Sequence, residues 1–240
     1  MILVLAGTGE ARELAAMMAR EGIGAEASLA GVTGRPEALD LPTRVGGFGG
    51  DVGFRAYLAG RHVRAVVDAT HPFAAGISQR TARVCHELGI AYCLLRRPAW
   101  QAGSGDRWHA VSGAGDVAAI IPERARVFLA VGRQEAAAFA ALAGREVVLR
   151  SIEMAEGLPV GWENVIARPS SVVADEVALF RAKAIDWVVS KNSGGAGAAA
   201  KLAAARELGL PVAMIARPEV PVGAHVVESA NAALDWVRAL

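Results

Sequence analysis

Short apolar runs alternate with alanine-rich segments along the whole chain. Ten of the runs have the length and composition of buried strands: ILVLA, AEASLA, VRAVVDA, IAYCLL, RVFLAV, EVVLRSI, NVIAR, DWVVS, PVAMIA and HVVES. Strands without a polar face are typical of parallel sheets that helices cover on both sides. The pattern therefore predicts an α/β protein in which strands and helices follow each other in turn.

The second half of the sequence repeats the plan of the first. VLAGTGEAREL aligns with LAVGRQEAAAF, which places Gly7 over Gly132, and LLRRPAW aligns with MIARPEV. WHAVSGAGDVAAII likewise aligns with HVVESANAALDWV at the end of the chain. We therefore predict two similar Rossmann-like, three-layer domains with parallel sheets, 1–123 and 124–240, and a cleft between them. One continuous sheet of about ten strands is the alternative.

Charge and hydropathy exclude several classes of protein. The chain has 25 basic and 24 acidic residues and no basic run, so we expect no nucleic-acid partner. Charged residues interrupt the apolar runs too often for a membrane span, and the opening Met-Ile-Leu-Val does not resemble an export signal. We expect a soluble, cytoplasmic protein in which Cys85 and Cys93 are reduced thiols of the core.

The candidate chemistry lies just after the strands, because open parallel sheets bind ligands outside the carboxyl ends of their strands. The first such loop, Gly7-Thr8-Gly9-Glu10-Ala11-Arg12, keeps the opening G-x-G of a dinucleotide fingerprint. The next strand is followed by Thr33 and Arg35 and not by an acid. A hydroxyl and a guanidinium favour the 2′-phosphate of NADP(H) over NAD(H). A plain glycine turn and a solvated arginine are the alternatives.

Glu10 is the unexpected residue of the first loop, because a carboxylate would repel a pyrophosphate lying directly against it. A helix dipole nevertheless favours an acid in the first turn. Glu10 either pairs with Arg12 in a structural role or turns toward ribose hydroxyls or a second ligand. Glu135 occupies the equivalent helix start of the second half, which favours the structural role.

Two further strand ends carry clusters of polar residues. Asp68-Ala69-Thr70-His71-Pro72-Phe73 ends a buried strand in the first half, and Lys191-Asn192-Ser193-Gly194-Gly195 takes the matching place in the second. The second cluster has the composition of an anion-binding loop. The alternatives are that Asp68 and Thr70 cap the next helix and that Lys191 pairs with a carboxylate of its own domain.

At these residues the sequence resembles the precorrin-6A reductases of corrin biosynthesis, a family that includes the cobalt-precorrin forms. The resemblance rests on Gly7-Thr8-Gly9-Glu10-Ala11-Arg12, on Asp68-Ala69-Thr70-His71-Pro72-Phe73-Ala74 followed by Ile77-Ser78, and on Lys191-Asn192-Ser193-Gly194-Gly195. It spans the whole chain. Many members open with Gly-Gly-Thr where this sequence has Ala6-Gly7-Thr8.

The resemblance implies an NADPH-dependent oxidoreductase that saturates one carbon–carbon double bond of precorrin-6A and gives precorrin-6B in cobalamin biosynthesis. The macrocycle carries many carboxylates, which explains separate basic residues on loops without a high net charge. The first domain is expected to bind NADPH and the second the carboxylates. The resemblance also leaves room for direct hand-over to neighbouring enzymes of the pathway, and it implies no metal site on the protein.

The expected site residues fall into three groups. Those expected to bind the cofactor are Gly7, Thr8, Gly9, Glu10, Arg12, Thr33, Arg35 and Thr70. The candidates for catalysis are Asp68, His71 and Lys191, with the proton donor open among His71, Lys191 and water. Those expected to bind the substrate are Phe73, Ser78, Arg97, Arg133, Lys191, Ser193, Gly194, Gly195 and Arg217.

Two other functions share this predicted architecture. A nucleotide-sugar or methyl transferase could use the same double Rossmann scaffold, because a fold does not fix a function. A non-catalytic, two-lobed protein that closes on a small anion would also show an internal repeat and a cleft. Binding of NADPH, S-adenosylmethionine or a nucleotide sugar distinguishes the three.

Overall fold

Strands and helices alternate throughout the computed structural model, which describes residues 1–31 and 38–240. The strands are β1 Ile2–Leu5, β2 Ala25–Leu29, β3 Thr43–Val45, β4 Ala65–Asp68, β5 Ala91–Leu95, β6 Arg107–Val111, β7 Arg126–Ala130, β8 Glu146–Ser151, β9 Trp162–Ile166, β10 Trp187–Lys191, β11 Pro211–Ile215 and β12 His225–Val227. The helices are α1 Gly9–Arg20, α2 Gly50–Gly60, α3 Ala75–Leu88, α4 Ala114–Ile120, α5 Val173–Ala182, α6 Ala200–Glu207 and α7 Ala230–Arg238, with a 3₁₀ helix at Arg133–Leu142.

The strands of the described residues form two six-stranded sheets in which all neighbours are parallel. The order is β12-β5-β4-β1-β2-β3 in the first sheet and β6-β11-β10-β7-β8-β9 in the second. The chain divides into two units, Met1–Pro98 with Pro218–Leu240, and Ala99–Arg217. The predicted α/β class with two parallel sheets is therefore confirmed.

Helices cover both faces of the first sheet. Side chains alternate along β1, so Ile2 and Val4 pack with α1 and α7 on one face. Leu3 and Leu5 point the other way and pack with α2 and α3. Both faces of β1 are therefore buried, which explains why its sequence is a continuous apolar run.

The two sheets exchange their last strands. β12, from the end of the chain, pairs with β5 in the first unit, and β6, from the middle of the chain, pairs with β11 in the second. The unit boundaries therefore differ from the predicted 1–123 and 124–240. Because β6–α4 and β12–α7 have similar sequences, the repeat alone did not indicate which sheet each segment joins.

Helix length and hydropathy bear on the expected absence of a membrane span. Among the described residues, no helix is both long enough and apolar enough to cross a bilayer.

Candidate cofactor and substrate sites

The order of the first sheet reverses between β1 and β4, which is where dinucleotides bind in open α/β sheets. Leu5 at the end of β1 lies level with Asp68 on one side and with Ser28 on the other. The loops that follow β1, β2 and β4 therefore start at one edge of the sheet. Gly7, Thr8 and Thr70, which are predicted to bind the cofactor, lie in two of these loops.

A cavity of about 480 Å³ opens at the same edge. Its described lining comes from the ends of β1 and β2, the loops after β1, β2, β3 and β4, and the starts of α2 and α3: Leu5, Ala6, Gly7, Ser28, Leu29, Ala30, Gly31, Gly46, Gly47, Phe48, Gly49, Gly50, Thr70, His71, Ala74, Ile77 and Arg80. Of the predicted site residues, Gly7, Thr70 and His71 line it. None of the described lining residues is acidic, which suits an anionic ligand.

Thr8 joins the loop after β1 to the loop after β4. It is the N-cap of α1, and its Oγ1 accepts a hydrogen bond of 3.1 Å from the backbone N–H of Ala11. The same hydroxyl donates a hydrogen bond of 2.8 Å to the carbonyl of Ala69. Gly7, with φ of +144°, adopts a conformation that favours glycine. These contacts fix the two predicted cofactor loops against each other.

Glu10 lies in the first turn of α1 and forms an ion pair with Arg97, with 2.6 Å between Arg97 Nη1 and Glu10 Oε2. Pairing with Arg12 was one of the two alternatives for Glu10; the structure shows an ion pair with Arg97, 87 residues further along the chain. Glu10 thus has a structural contact at the helix start. Arg97, predicted to bind the substrate, lies against this acid.

Asp68 is fully buried at the end of β4. Its Oδ1 accepts hydrogen bonds from the backbone N–H and the hydroxyl of Thr70, at 3.1 and 2.6 Å, and its Oδ2 accepts one of 3.0 Å from the Tyr92 hydroxyl. Asp68 and Thr70 therefore form a turn and do not cap α3, whose N-cap Ala74 has no side-chain cap. Asp68 is absent from the cavity lining and holds Thr70, which does line it.

Burial around Asp68 changes the acidity of its neighbours. Desolvation, followed by the nearby Asp68 charge, raises the pKa of Tyr92 well above its usual value. The same two causes raise the pKa values of Cys85 and Cys93 to about 12. Both thiols are buried and in the free form.

In the described part of the chain, no group of three or more His, Cys, Asp or Glu could hold a metal ion.

His71 lines the cavity with a defined ring orientation. Its Nδ1 accepts a hydrogen bond of 3.3 Å from the backbone N–H of Phe73, and the two rings lie 5.9 Å apart. Because Nδ1 accepts, the neutral ring carries its proton on Nε2. Ser78 lies in α3 beyond this loop and is buried.

The glycine-rich loop 46–50 forms a wall of the cavity that sequence reasoning missed. Arg44 donates hydrogen bonds of 2.8 and 2.9 Å to the carbonyls of Gly46 and Gly47 and stacks at 4.1 Å on the ring of Phe48. A Cβ atom on Gly53 would lie only 1.8 Å from the Phe48 carbonyl oxygen. The sequence GGFGG could have indicated a glycine-rich loop after a strand. The strand before it, β3, is too short and too exposed to be recognised from the sequence.

The predicted 2′-phosphate ligands Thr33 and Arg35 lie outside the described residues. Their assignment therefore stays a prediction.

In the second unit, Lys191 is the last residue of β10 and forms an ion pair with Glu135. This is the local pairing that stood as the alternative to a substrate contact. Ser193 is buried, and Gly194 and Gly195 have φ values of +67° and +80°. At both glycine positions, a residue with a side chain would strain the backbone, so this turn favours glycine.

Trp100 and Arg217 hold this loop in place. The side chain of Asn192 accepts a hydrogen bond of 2.8 Å from the Trp100 backbone N–H and donates one of 3.0 Å to the Trp100 carbonyl. The indole N–H donates to the Gly195 carbonyl at 2.9 Å, and Arg217 Nε donates to the Asn192 carbonyl at 2.6 Å. Arg217 thus contacts the predicted anion-binding loop directly.

Arg133, a further candidate for substrate carboxylates, follows β7. It forms an ion pair of 2.7 Å with Glu153, and the two side chains are 39% and 35% exposed. Solvent reaches both partners, so this pair is weak and open to competition by another anion.

Known proteins share both the sequence and the fold of this chain. The family model described as "Precorrin-6x reductase CbiJ/CobK" matches residues 1–238. The precorrin-6A reductase of Rhodobacter capsulatus is 48% identical over 223 residues, which are 92% of this chain and 89% of the relative. That of Rhodococcus erythropolis is 43% identical over 242 residues, which are 100% and 98% of the two chains.

A solved structure, named CobK precorrin-6A reductase, has the same fold. It matches with a TM-score of 0.93 and 43% identity, over 99% of this chain and 96% of that one. The resemblance carried by the three loop motifs is thereby confirmed. The chain belongs to the precorrin-6x reductase (CbiJ/CobK) family.

Proposed function

We propose that this chain is an NADPH-dependent reductase that saturates one carbon–carbon double bond of precorrin-6A and gives precorrin-6B in cobalamin biosynthesis. The observation that carries the proposal is the cavity at the strand-order reversal of a Rossmann-type sheet, in a chain matched over nearly its full length by this family. The described lining is mostly apolar and glycine residues, with one arginine and no acid, which suits an anionic dinucleotide.

The first unit would hold the cofactor. When bound, NADPH supplies a hydride. The glycine turn at Gly7 and the backbone N–H groups at the start of α1 would bind its phosphates, because a helix N-terminus attracts anions. Glu10 does not oppose this role, since Arg97 neutralises its charge.

His71 is the proton donor that we favour. Its Nε2 carries the proton in the neutral form, and the hydrogen bond at Nδ1 fixes the ring, so a proton is held at a defined place on the cavity wall. Asp68 acts through Thr70 as a positioning residue, because its carboxylate is buried and accepts three hydrogen bonds.

The second unit would bind substrate carboxylates through Lys191, Ser193 and Arg133, with Arg217 ordering the loop. The Lys191 ammonium has three donors, and its partner Glu135 is 45% exposed. A substrate carboxylate can therefore compete with Glu135 for the ammonium. Two free, buried thiols suit a reducing compartment, which supports the cytoplasm as the place of this reaction.

The test is a reaction of the purified chain with precorrin-6A and NADPH. We expect loss of the near-ultraviolet absorbance of NADPH and a product that has gained two hydrogen atoms, with a slower reaction when NADH replaces NADPH. Omission of precorrin-6A is the control for uncoupled oxidation. Binding of S-adenosylmethionine or a nucleotide sugar, without binding of NADPH, would instead support a transferase.

A further inference from the structure

We infer that Arg80 of α3 binds a phosphate group of the dinucleotide, an inference that rests on the proposed function. Arg80 lines the cavity of the first unit from the second turn of α3, next to Ile77 and Ala74. It was not among the residues singled out from the sequence. Its position in a helix interior, where an arginine is usually a solvated surface residue, gave no signal.

In the described part of the chain, the guanidinium of Arg80 is partly buried without a hydrogen-bond acceptor for its Nε atom. Its Nε is buried and has no hydrogen-bond partner within residues 1–31 and 38–240. Its Cζ lies 5.6 Å from the centre of the Phe54 ring, so an aromatic face supports it from one side. A buried N–H without an acceptor is costly. Because solvent does not reach Nε, an anion in the cavity would be bound by the other donors of the guanidinium, or by Nε once the side chain has moved.

Neighbouring arginines differ from Arg80 because they have protein acceptors. Arg83, one turn further along the same helix, pairs with Asp51 and Glu87. Arg44 is held by carbonyls of the glycine-rich loop. Among the described residues, Arg80 has no hydrogen-bond acceptor and no ion pair of its own. The pKa of Asp51 is lowered first by the hydrogen bond from Arg83 and less by the charge of Arg80, but that carboxylate is paired with Arg83.

The surroundings make a phosphate the fitting anion. The rest of the described lining consists of glycine and apolar residues with Ser28, Thr70 and His71, and it contains no carboxylate. The Thr70 hydroxyl donates to Asp68 and so can only accept from a ligand. An arginine provides a planar set of donors that matches phosphate oxygens. The phosphate would come from the pyrophosphate or from the 2′-position, and the two sources can be separated by experiment.

The experiment measures binding by calorimetric titration with NADP⁺, NAD⁺ and adenosine, without turnover. Arg80→Gln removes the charge, and Arg80→Lys keeps the charge but loses the planar donors. Arg64→Gln is the charge-matched control, because Arg64 is exposed and lies before β4, at the opposite edge of the sheet. Thermal unfolding of each variant shows whether it is folded.

We expect Arg80→Gln to weaken NADP⁺ binding roughly tenfold or more, Arg80→Lys to weaken it less, and Arg64→Gln to leave it unchanged. An equal loss for NADP⁺ and NAD⁺ assigns the pyrophosphate, and a loss confined to NADP⁺ assigns the 2′-phosphate. Unchanged NADP⁺ binding in folded Arg80→Gln would overturn the inference, as would an equal loss for adenosine. If the unaltered chain binds neither dinucleotide, the proposed function itself fails.

Discussion

Arg97 donates a hydrogen bond of 2.6 Å to the carboxylate of Glu10, and this contact explains an acid at the start of a helix that is expected to bind phosphates. The repeat preserves the acid but changes its partner. In the second unit, the equivalent Glu135 pairs with Lys191. Both units thus neutralise a glutamate at the first loop with a basic residue from the end of another strand.

Replacing Glu10 by Gln should show whether Glu10 stabilises the fold or binds the ligand. We expect the free energy of unfolding to fall by about 0.5 to 1 kcal/mol, because a partly buried ion pair and a favourable helix-dipole contact are lost. NADP⁺ affinity should stay equal or rise, since a negative charge leaves the phosphate loop. Urea unfolding and titration measure the two quantities, with Glu13→Gln on the exposed face of α1 as control. A tenfold loss of affinity would show that Glu10 binds the ligand.

Lys191→Ala should raise the KM for the tetrapyrrole and leave NADPH affinity within about twofold, because the lysine would bind a substrate carboxylate. Steady-state kinetics of Lys191→Ala, Glu135→Gln and the double variant measure this. Glu135→Gln removes the competing carboxylate and should lower the KM or leave it unchanged. A large fall in kcat at saturating substrate would indicate a proton-donor role for Lys191. Collapse of NADPH binding alone would reverse the assignment of the two units.

Most of the strands could be predicted because they are buried on both faces. All ten apolar runs lie in strands, and the two strands that the runs do not include, β3 and β6, are edge strands whose residues are mostly exposed. An edge strand can fold with only part of one face apolar, and β3 and β6 accordingly lack a continuous apolar run. The edge strands β9 and β12 have such a run, so they were recognised. The exchange of β6 and β12 was hidden for another reason: the repeat makes the two segments alike, and sequence alone does not say which sheet each one joins.

The lining of the cavity was predictable from the sequence where its residues directly follow strands. Gly7, Thr70 and His71 follow strands directly, so the strand-end rule placed them at the cavity. The pairing of Glu10 with Arg97 depends on contact between two segments that are distant in the sequence. Sequence spacing indicated only Arg12, two residues away, as a basic partner. Arg80 lies inside α3, and a rule that selects residues directly after strands does not include it.

Gly53→Ala should damage the wall of the cavity. The new Cβ would lie 1.8 Å from the Phe48 carbonyl oxygen, so the loop or α2 must move. We expect a loss of stability of about 1 to 3 kcal/mol and weaker NADP⁺ binding. Gly60→Ala, in the last turn of the same helix, is the matched control, because its new methyl group would have no neighbour within 4 Å and its φ is not positive. Equal behaviour of the two variants would argue against a fixed loop.

Asp106 should make the free energy of unfolding depend on pH in the acidic range. The hydrogen bonds from Arg206, helped by that of the Gly103 N–H and opposed by burial, lower its pKa below the ordinary 3.8. The stabilisation is therefore complete above pH 3.8 and is lost as the pH falls through the lower, folded value. The difference in unfolding free energy between the unaltered chain and Asp106→Asn should shrink below pH 3.8. Exposed Glu123→Gln is the control, and a difference that does not change with pH would contradict the assignment.

Thr8→Val should loosen the link between the two cofactor loops. The variant keeps the shape of the side chain but loses the bond from the Ala11 N–H and the bond to the Ala69 carbonyl, so we expect about 1 to 2 kcal/mol less stability in urea unfolding. NADP⁺ affinity should fall as well, because the glycine turn after β1 is no longer fixed against the loop that carries Thr70 and His71.

Thr8→Ser provides the matched comparison, since it keeps the hydroxyl and should retain both stability and affinity. Thr43→Val is the control for loss of a hydroxyl elsewhere in the first unit, because the Thr43 hydroxyl donates only to the nearby Leu41 carbonyl and its side chain is exposed. If Thr8→Val loses stability but binds NADP⁺ normally, Thr8 is a helix cap alone. If it loses affinity while stability is unchanged, the hydroxyl contacts the ligand directly, and the link to Ala69 is not what positions the site.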